Sequence, residues 1–359
     1  MNKEKFKVES NKYTVLDAFR FFFFLVITYF AVTIVYMIVM NIVAGAMGKA
    51  YADLMATDTA GLMSYIIPSL TFICYFFVYN KIRKVKYRDA ISDGQKISLL
   101  PISVAIVLAI ISIFLFTPFM NLVDYLFMSG GYYADNSIPM QAKMQTSFGY
   151  FALGLLIYAL LPAIAEELVF RGAVQNALLS KYNGVVAIFF STIFFVLMHG
   201  ALQQTVYQAI VGIMLGYLAC VGGHICYSII LHFLSNALVL VFGCFDIVAY
   251  LNPNNTVYYN IYSMIFPVCI FLLGLVLVGI LFWVLKYLRN KNFFRFDSTL
   301  TKKKRRKKHV VEEVIEVKKP GFKGMWKDLM FNEKAYMIAS IAIIGFIWLF
   351  NTVGGFMGS

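Results

Sequence analysis

Charge is scarce in this sequence. Only 14% of its 359 residues are Asp, Glu, Lys or Arg, against 61% hydrophobic ones. A soluble domain carries roughly a quarter charged residues and cannot bury so much apolar surface. An ordinary soluble enzyme is thereby excluded, and lipid becomes the solvent for most of the chain. Histidine and cysteine are also few, at four and five residues. The cysteines (Cys74, Cys220, Cys226, Cys244 and Cys269) lie in or beside apolar segments and form no CxxC pair. Neither a disulfide framework nor a thiolate zinc site is expected from them. No HExxH, Ser/His/Asp arrangement or Cys nucleophile is visible, which disfavours zincin and acyl-enzyme chemistry. The alternating pattern of a spanning β-barrel is missing too. So is a cleavable signal pattern: Met1 to Lys12 is polar and basic, and the apolar run behind it is too long for a signal peptide, so it reads as a retained first span.

What the sequence does hold is long apolar runs. About 20 apolar residues cross a hydrocarbon core of roughly 30 Å as a helix. Candidate spans cover 18–43, 61–80, 98–118, 148–165, 184–201, 205–221, 224–243, 260–287 and 335–356. The expected fold class is therefore all-α, a polytopic transmembrane helical bundle of about eight or nine spans. It divides into N-terminal transmembrane helices (1–147), a motif-bearing core (148–243), an additional span (244–288), a basic cytoplasmic segment (289–334) and a C-terminal span (335–359). Gly212 and Gly216 form a GxxxG in the sixth span, which favours close helix approach.

Most of the net charge of +13 sits in one stretch. From Lys286 to Lys334 there are 16 Lys and Arg against six Asp and Glu. In a membrane protein such a block is first a topology signal, and no nucleic-acid partner is expected. Basic residues before the first span, after the second, after the fourth and after the eighth fall on one side if every span crosses once. The positive-inside rule makes that side cytoplasmic, with the N-terminus inside and the C-terminus outside. The run Lys302–Lys308 is expected to be solvated and without fixed structure, touching anionic headgroups at about 1 kcal/mol per basic residue.

Polar groups at membrane depth cost a few kcal/mol on insertion scales, so each needs a reason. Three groups stand out: Glu166-Glu167 with Arg171, Phe195 with His199, and His232 with Asn236. Residues four apart share a helix face. Glu167 therefore reaches Arg171 and is neutralised by it, whereas Glu166 is rotated about 100° away and lacks that partner. Glu166 lies 16 residues before Tyr182 and His199 lies 17 after it, so a hairpin turning at Lys181–Gly184 sets both roughly 24 Å from the turn. His232 is shallower on this scale, about 14 Å from the Gly222-Gly223 turn. An unpaired carboxylate, two imidazoles and an amide in a water-poor pocket suit hydrolysis. Glu166 would take a proton from water and His199 would orient that water. His232 and Asn236 would donate to the developing oxyanion. His224 reads as a packing residue at a helix start, and His309 as a solvated member of the basic run.

The order EExxxR, then FxxxH, then HxxxN, on separate spans, resembles the CPBP family of CAAX proteases and bacteriocin-processing enzymes, also called the Abi family. The match is Glu166 to Arg171, Phe195 to His199 and His232 to Asn236, within about 148–243. The resemblance implies an intramembrane endopeptidase with an all-helical core. It implies that Glu166 and His199 activate a water and that His232 and Asn236 form the oxyanion site, with Glu167, Arg171 and Phe195 supporting. Family members are labelled metalloproteases, and a metal-free glutamate mechanism is also held for them. A zinc ion would fall to Glu166, His199 and His232; the residue reading prefers the metal-free version, because Glu166 as a ligand leaves no obvious base. The basic segment and ninth span go beyond the usual bundle and suggest an added envelope partner. Substrates implied are membrane-bound or lipidated peptides and proteins, in a bacterial plasma membrane. The alternatives are a non-catalytic scaffold or bacteriocin self-immunity protein using the same bundle, and a transporter with Glu166 as its proton site. The paired broken helices of an inverted-repeat transporter are not seen.

Overall fold

The computed structural model describes residues 13–55, 57–92, 97–132, 140–245, 264–288, 300–306, 309–315 and 321–357. The expectations placed on Lys3–Lys12, on the loop beyond Phe245 and on Lys307 and Lys308 lie outside the described residues. Within them the chain is an all-α polytopic bundle. Its long helices are α1 (Val15–Ala46), α2 (Asp58–Arg83), α3 (Leu99–Ser129), α4 (Phe148–Leu179), α5 (Gly184–His199), α6 (Thr205–Gly222), α7 (Cys226–Phe245), α8 (Ile265–Leu288) and α9 (Phe331–Met357). Eight of these are long and apolar enough to cross a membrane, while α5 is shorter at 16 residues.

Two departures from the sequence expectations have clear causes. The third and fourth helices run on to Ser129 and Leu179, past the expected ends at 118 and 165. Polar residues enter at those points, but helical hydrogen bonding continues, because Asn121, Asp124 and Glu166 face a cavity and Glu167 and Arg171 pair inside the bundle. The basic run at 302–306 is not left unstructured either. Its backbone forms strand β1 (Leu300–Arg306), paired antiparallel with β2 (His309–Ile315) in a register that sets Lys302 opposite Glu313 and Lys303 opposite Glu312. The ladder pairs backbone N–H and C=O groups that a coil would leave to solvent.

Two of the long helices widen into π-helical turns just before a proline. Ser112–Phe116 precedes Pro118 in α3, and Leu155–Leu160 precedes Pro162 in α4. Proline offers no N–H to the carbonyl four residues back and its ring crowds that carbonyl, so the preceding turn opens. A third wide stretch, Leu168–Gln175, is wholly buried and carries Arg171. Helix α5 starts on Asn183, whose side-chain oxygen accepts from Val186 N at 3.1 Å. It stops at Gly200, which adopts φ +64, a left-handed conformation that glycine takes without steric cost.

The motif helices are held by aromatic packing and close approach. Phe22 of α1 stacks on Phe194 of α5 with ring centroids 4.1 Å apart, and Phe170 of α4 meets Phe195 edge-on at 5.3 Å. The GxxxG of α6 does bring helices together. A Cβ on Gly212 would lie 2.9 Å from Thr192 Cγ2, and one on Gly216 would lie 2.8 Å from Gln175 Oε1. Arg171 Nη2 donates to the Gly212 carbonyl at 3.0 Å and Gln175 Nε2 to the Gly216 carbonyl at 2.9 Å. Spacing of four on α4 thus reads spacing of four on α6. Because Thr192 is β-branched and stiff, Gly212→Ala is expected to force the helices apart. The cost should be about 1–3 kcal/mol, measured as a lower midpoint in SDS denaturation of the purified protein. An unchanged midpoint would show that the contact yields freely.

Candidate functional site

The site forms where α4, α5 and α7 converge. Glu166 Oε2 stands 3.8 Å from His199 Nε2 and 3.8 Å from His232 Nε2. All three line one cavity of about 430 Å³ together with Asn236. The level hairpin expected for Glu166 and His199 is therefore present, and His232 reaches the same level despite its shorter run from the Gly222-Gly223 turn.

The two glutamates divide their environments sharply. The side chains of Glu166 and His199 are 19% and 20% exposed, whereas those of Glu167 and Arg171 are 0%. Glu167 Oε1 accepts from Arg171 Nη1 at 2.8 Å, the expected i,i+4 pair, and also from His232 Nδ1 at 3.0 Å. The second of these was not foreseen from spacing. Arg171 lies over the Phe195 ring at 4.7 Å, and that ring also abuts His199 (4.6 Å) and His232 (5.8 Å). Phe195 is a shared wall that holds both imidazoles in place.

Partner chemistry fixes how the imidazoles present themselves. His199 Nδ1 is 2.8 Å from the Phe195 carbonyl oxygen, which only accepts, so Nδ1 carries the proton and Nε2 faces Glu166. His232 Nδ1 donates to the Glu167 carboxylate by the same reasoning, so its Nε2 also faces the cavity. A neutral His232 would offer a bare nitrogen there; as an imidazolium it offers a donor.

The zinc candidates were Glu166, His199 and His232. Ligands of a tetrahedral zinc at bond lengths of about 2.0–2.1 Å lie about 3.3 Å apart, closer than the 3.8 Å separations found here. Among the described residues no group of three or more His, Cys, Asp or Glu side chains is arranged to hold a metal ion. Glu167 is already engaged, so a metal on Glu166 would also leave the cavity without its nearest base. As arranged, these residues do not fit a closed metal-binding set.

The cavity is lined by residues that motif reasoning did not reach. Thr117, Asn121 and Asp124 of α3 face it, as do Gln203, Tyr207 and Gln208 at the start of α6. A signal for the first group was present: positions 117, 121 and 124 are an i, i+4, i+7 polar stripe on an otherwise apolar helix. The other two histidines stay apart from the site. His224 Nδ1 accepts from Cys226 N at 3.1 Å, a local turn contact as expected, and His309 falls in β2.

One comparison with known proteins finds a family match over the motif-bearing helices. Residues 148–238 match the family model described as Rce1-like, type II CAAX prenyl endopeptidase Rce1-like. That stretch contains Glu166, His199, His232 and Asn236. No curated protein and no solved structure matches the chain. Residues 148–238, about a quarter of the sequence, are thus similar to type II CAAX prenyl endopeptidases, and they lie within an integral multi-pass membrane protein.

Proposed function

We propose that this chain is an intramembrane endopeptidase that hydrolyses peptide bonds of membrane-associated peptide or protein substrates through a water activated by Glu166. The observation that carries the reading is the Glu166 carboxylate set 3.8 Å from two imidazole Nε2 atoms at the wall of a cavity. A water between Glu166 Oε2 and His199 Nε2 donates one hydrogen to each. Glu166 takes its proton as the water oxygen attacks the scissile carbonyl, and the same proton passes to the leaving amine when the C–N bond breaks. His232 and Asn236 donate to the oxyanion of the tetrahedral intermediate. With its Nδ1–H directed to Glu167, His232 donates from Nε2 in the imidazolium form.

The reaction proposed is metal-free, and it belongs to a chain oriented by its basic segments with the N-terminus in the cytoplasm of a bacterial cell. The test is cleavage of a membrane-peptide library by the full-length protein in liposomes. Asn236→Ala should lower kcat by about 10²–10³, the typical loss of one oxyanion donor, with His199→Ala and His232→Ala also impaired. A chelator should leave wild-type turnover unchanged. Equal rates in all variants would sink the mechanism, and a chelator-sensitive rate would replace its metal-free version. Absence of any cleavage would favour the scaffold or immunity reading.

A further inference from the structure

We propose that Asp124 is a specificity-determining residue through which the cavity selects a substrate with a cationic side chain, Lys or Arg, beside the scissile bond. The inference rests on the hydrolytic reading of the site and extends it to the substrate class. Asp124 lies in α3 and lines the same cavity as Glu166. Among the described residues it has no hydrogen-bond or ion-pair partner. A carboxylate within a membrane helix is costly, and one left unpaired against a cavity marks a binding function by default.

Three further observations point to the sign of the ligand. No Lys or Arg lines the cavity among the described residues. Arg171, the cation in the neighbouring motif, is spent on Glu167 and on the Gly212 carbonyl. Gln203 also lines the cavity, is 4% exposed, and has an Oε1 atom without a hydrogen-bond partner among the described residues, as has Glu166 Oε2. These are acceptors awaiting donors. An ammonium brings three N–H donors and a guanidinium five, with no acceptor to satisfy. A free C-terminal carboxylate would bring a further negative charge into a wall that offers it no cation.

The test uses the full-length protein in nanodiscs and peptide series that differ only in Lys, Arg, norleucine or Glu next to the cleaved bond. Wild type should show a Lys-to-norleucine ratio of kcat/KM of about tenfold or more, the scale of one hydrogen-bonded charge pair, with Glu slowest. Asp124→Asn should bring that ratio to about one, and Asp124→Glu should retain it. A wild-type ratio near one, or a ratio that Asp124→Asn does not change, overturns the proposal. Binding is read separately from the fluorescence of p-aminobenzamidine, an aromatic amidinium. Saturable binding to wild type that a Lys peptide displaces, and that Asp124→Asn weakens about tenfold, is expected. Such binding without cleavage of any peptide would remove the hydrolytic reading and leave the cation site standing. Glu166-dependent cleavage without charge preference would do the reverse. No binding and no cleavage would overturn both.

Discussion

Glu166→Gln should lower peptide cleavage by about 10²–10⁴-fold, the usual contribution of a positioned general base, while the protein keeps its folded stability. The substitution is nearly isosteric and removes only the basic oxygen. Glu166 has a fifth of its side chain at the cavity and no hydrogen-bond partner for Oε2 among the described residues. Nothing in the packing of α4 depends on its charge. Replacing a partly buried carboxylate by a neutral amide of the same shape removes a desolvation cost, so folding should not suffer. The measurement pairs single-turnover cleavage in liposomes with the midpoint of SDS denaturation. Reduced cleavage with an unchanged or raised midpoint is the expected outcome. A parallel fall in both would make Glu166 a structural group, and unaltered cleavage would remove it from the chemistry.

Much of this site was legible because helices impose short-range rules. Glu167 and Arg171 meet because they are four residues apart, and the paired carbonyl contacts at Gly212 and Gly216 follow from the same spacing on two helices. The level of Glu166 and His199 followed from counting equal rises on either side of one turn. Counting alone set His232 shallower because it treats the Gly222-Gly223 turn as a fixed reference level, whereas helix tilt or a projecting turn brings it level with Glu166. Its contact with Glu167 was missed because it joins residues 65 apart, and no periodicity encodes which faces of α4 and α7 adjoin. Asp124 was overlooked for a related reason. Its stripe on α3 marks a polar face, but only tertiary packing shows that this face and Glu166 share a cavity. The ends of α3 and α4 were misplaced because hydropathy reports solvent, whereas helix ends are set by hydrogen bonds and caps.

Glu167→Gln should behave oppositely to its neighbour, destabilising the fold by about 3–5 kcal/mol as well as impairing cleavage. That range is typical for removing one partner of a buried ion pair, because the remaining charge is left uncompensated. Here the stranded group is Arg171, whose side chain is fully buried and already has an Nε without a hydrogen-bond partner among the described residues. Glu167→Gln combined with Arg171→Met removes both charges, and such paired replacement is often neutral for stability. The double variant should therefore regain most of the lost SDS-denaturation midpoint. It should not regain activity, because Glu167 also accepts the Nδ1 proton of His232 and orients its Nε2 toward the cavity. A glutamine at 167 can still accept that bond, but a neutral amide oxygen holds the Nδ1 donor more weakly than a carboxylate does. Restored stability with restored cleavage would confine Glu167 to pairing with Arg171. Restored stability without cleavage would show one carboxylate serving two partners, anchoring α4 beside α6 through Arg171 and orienting the imidazole of His232.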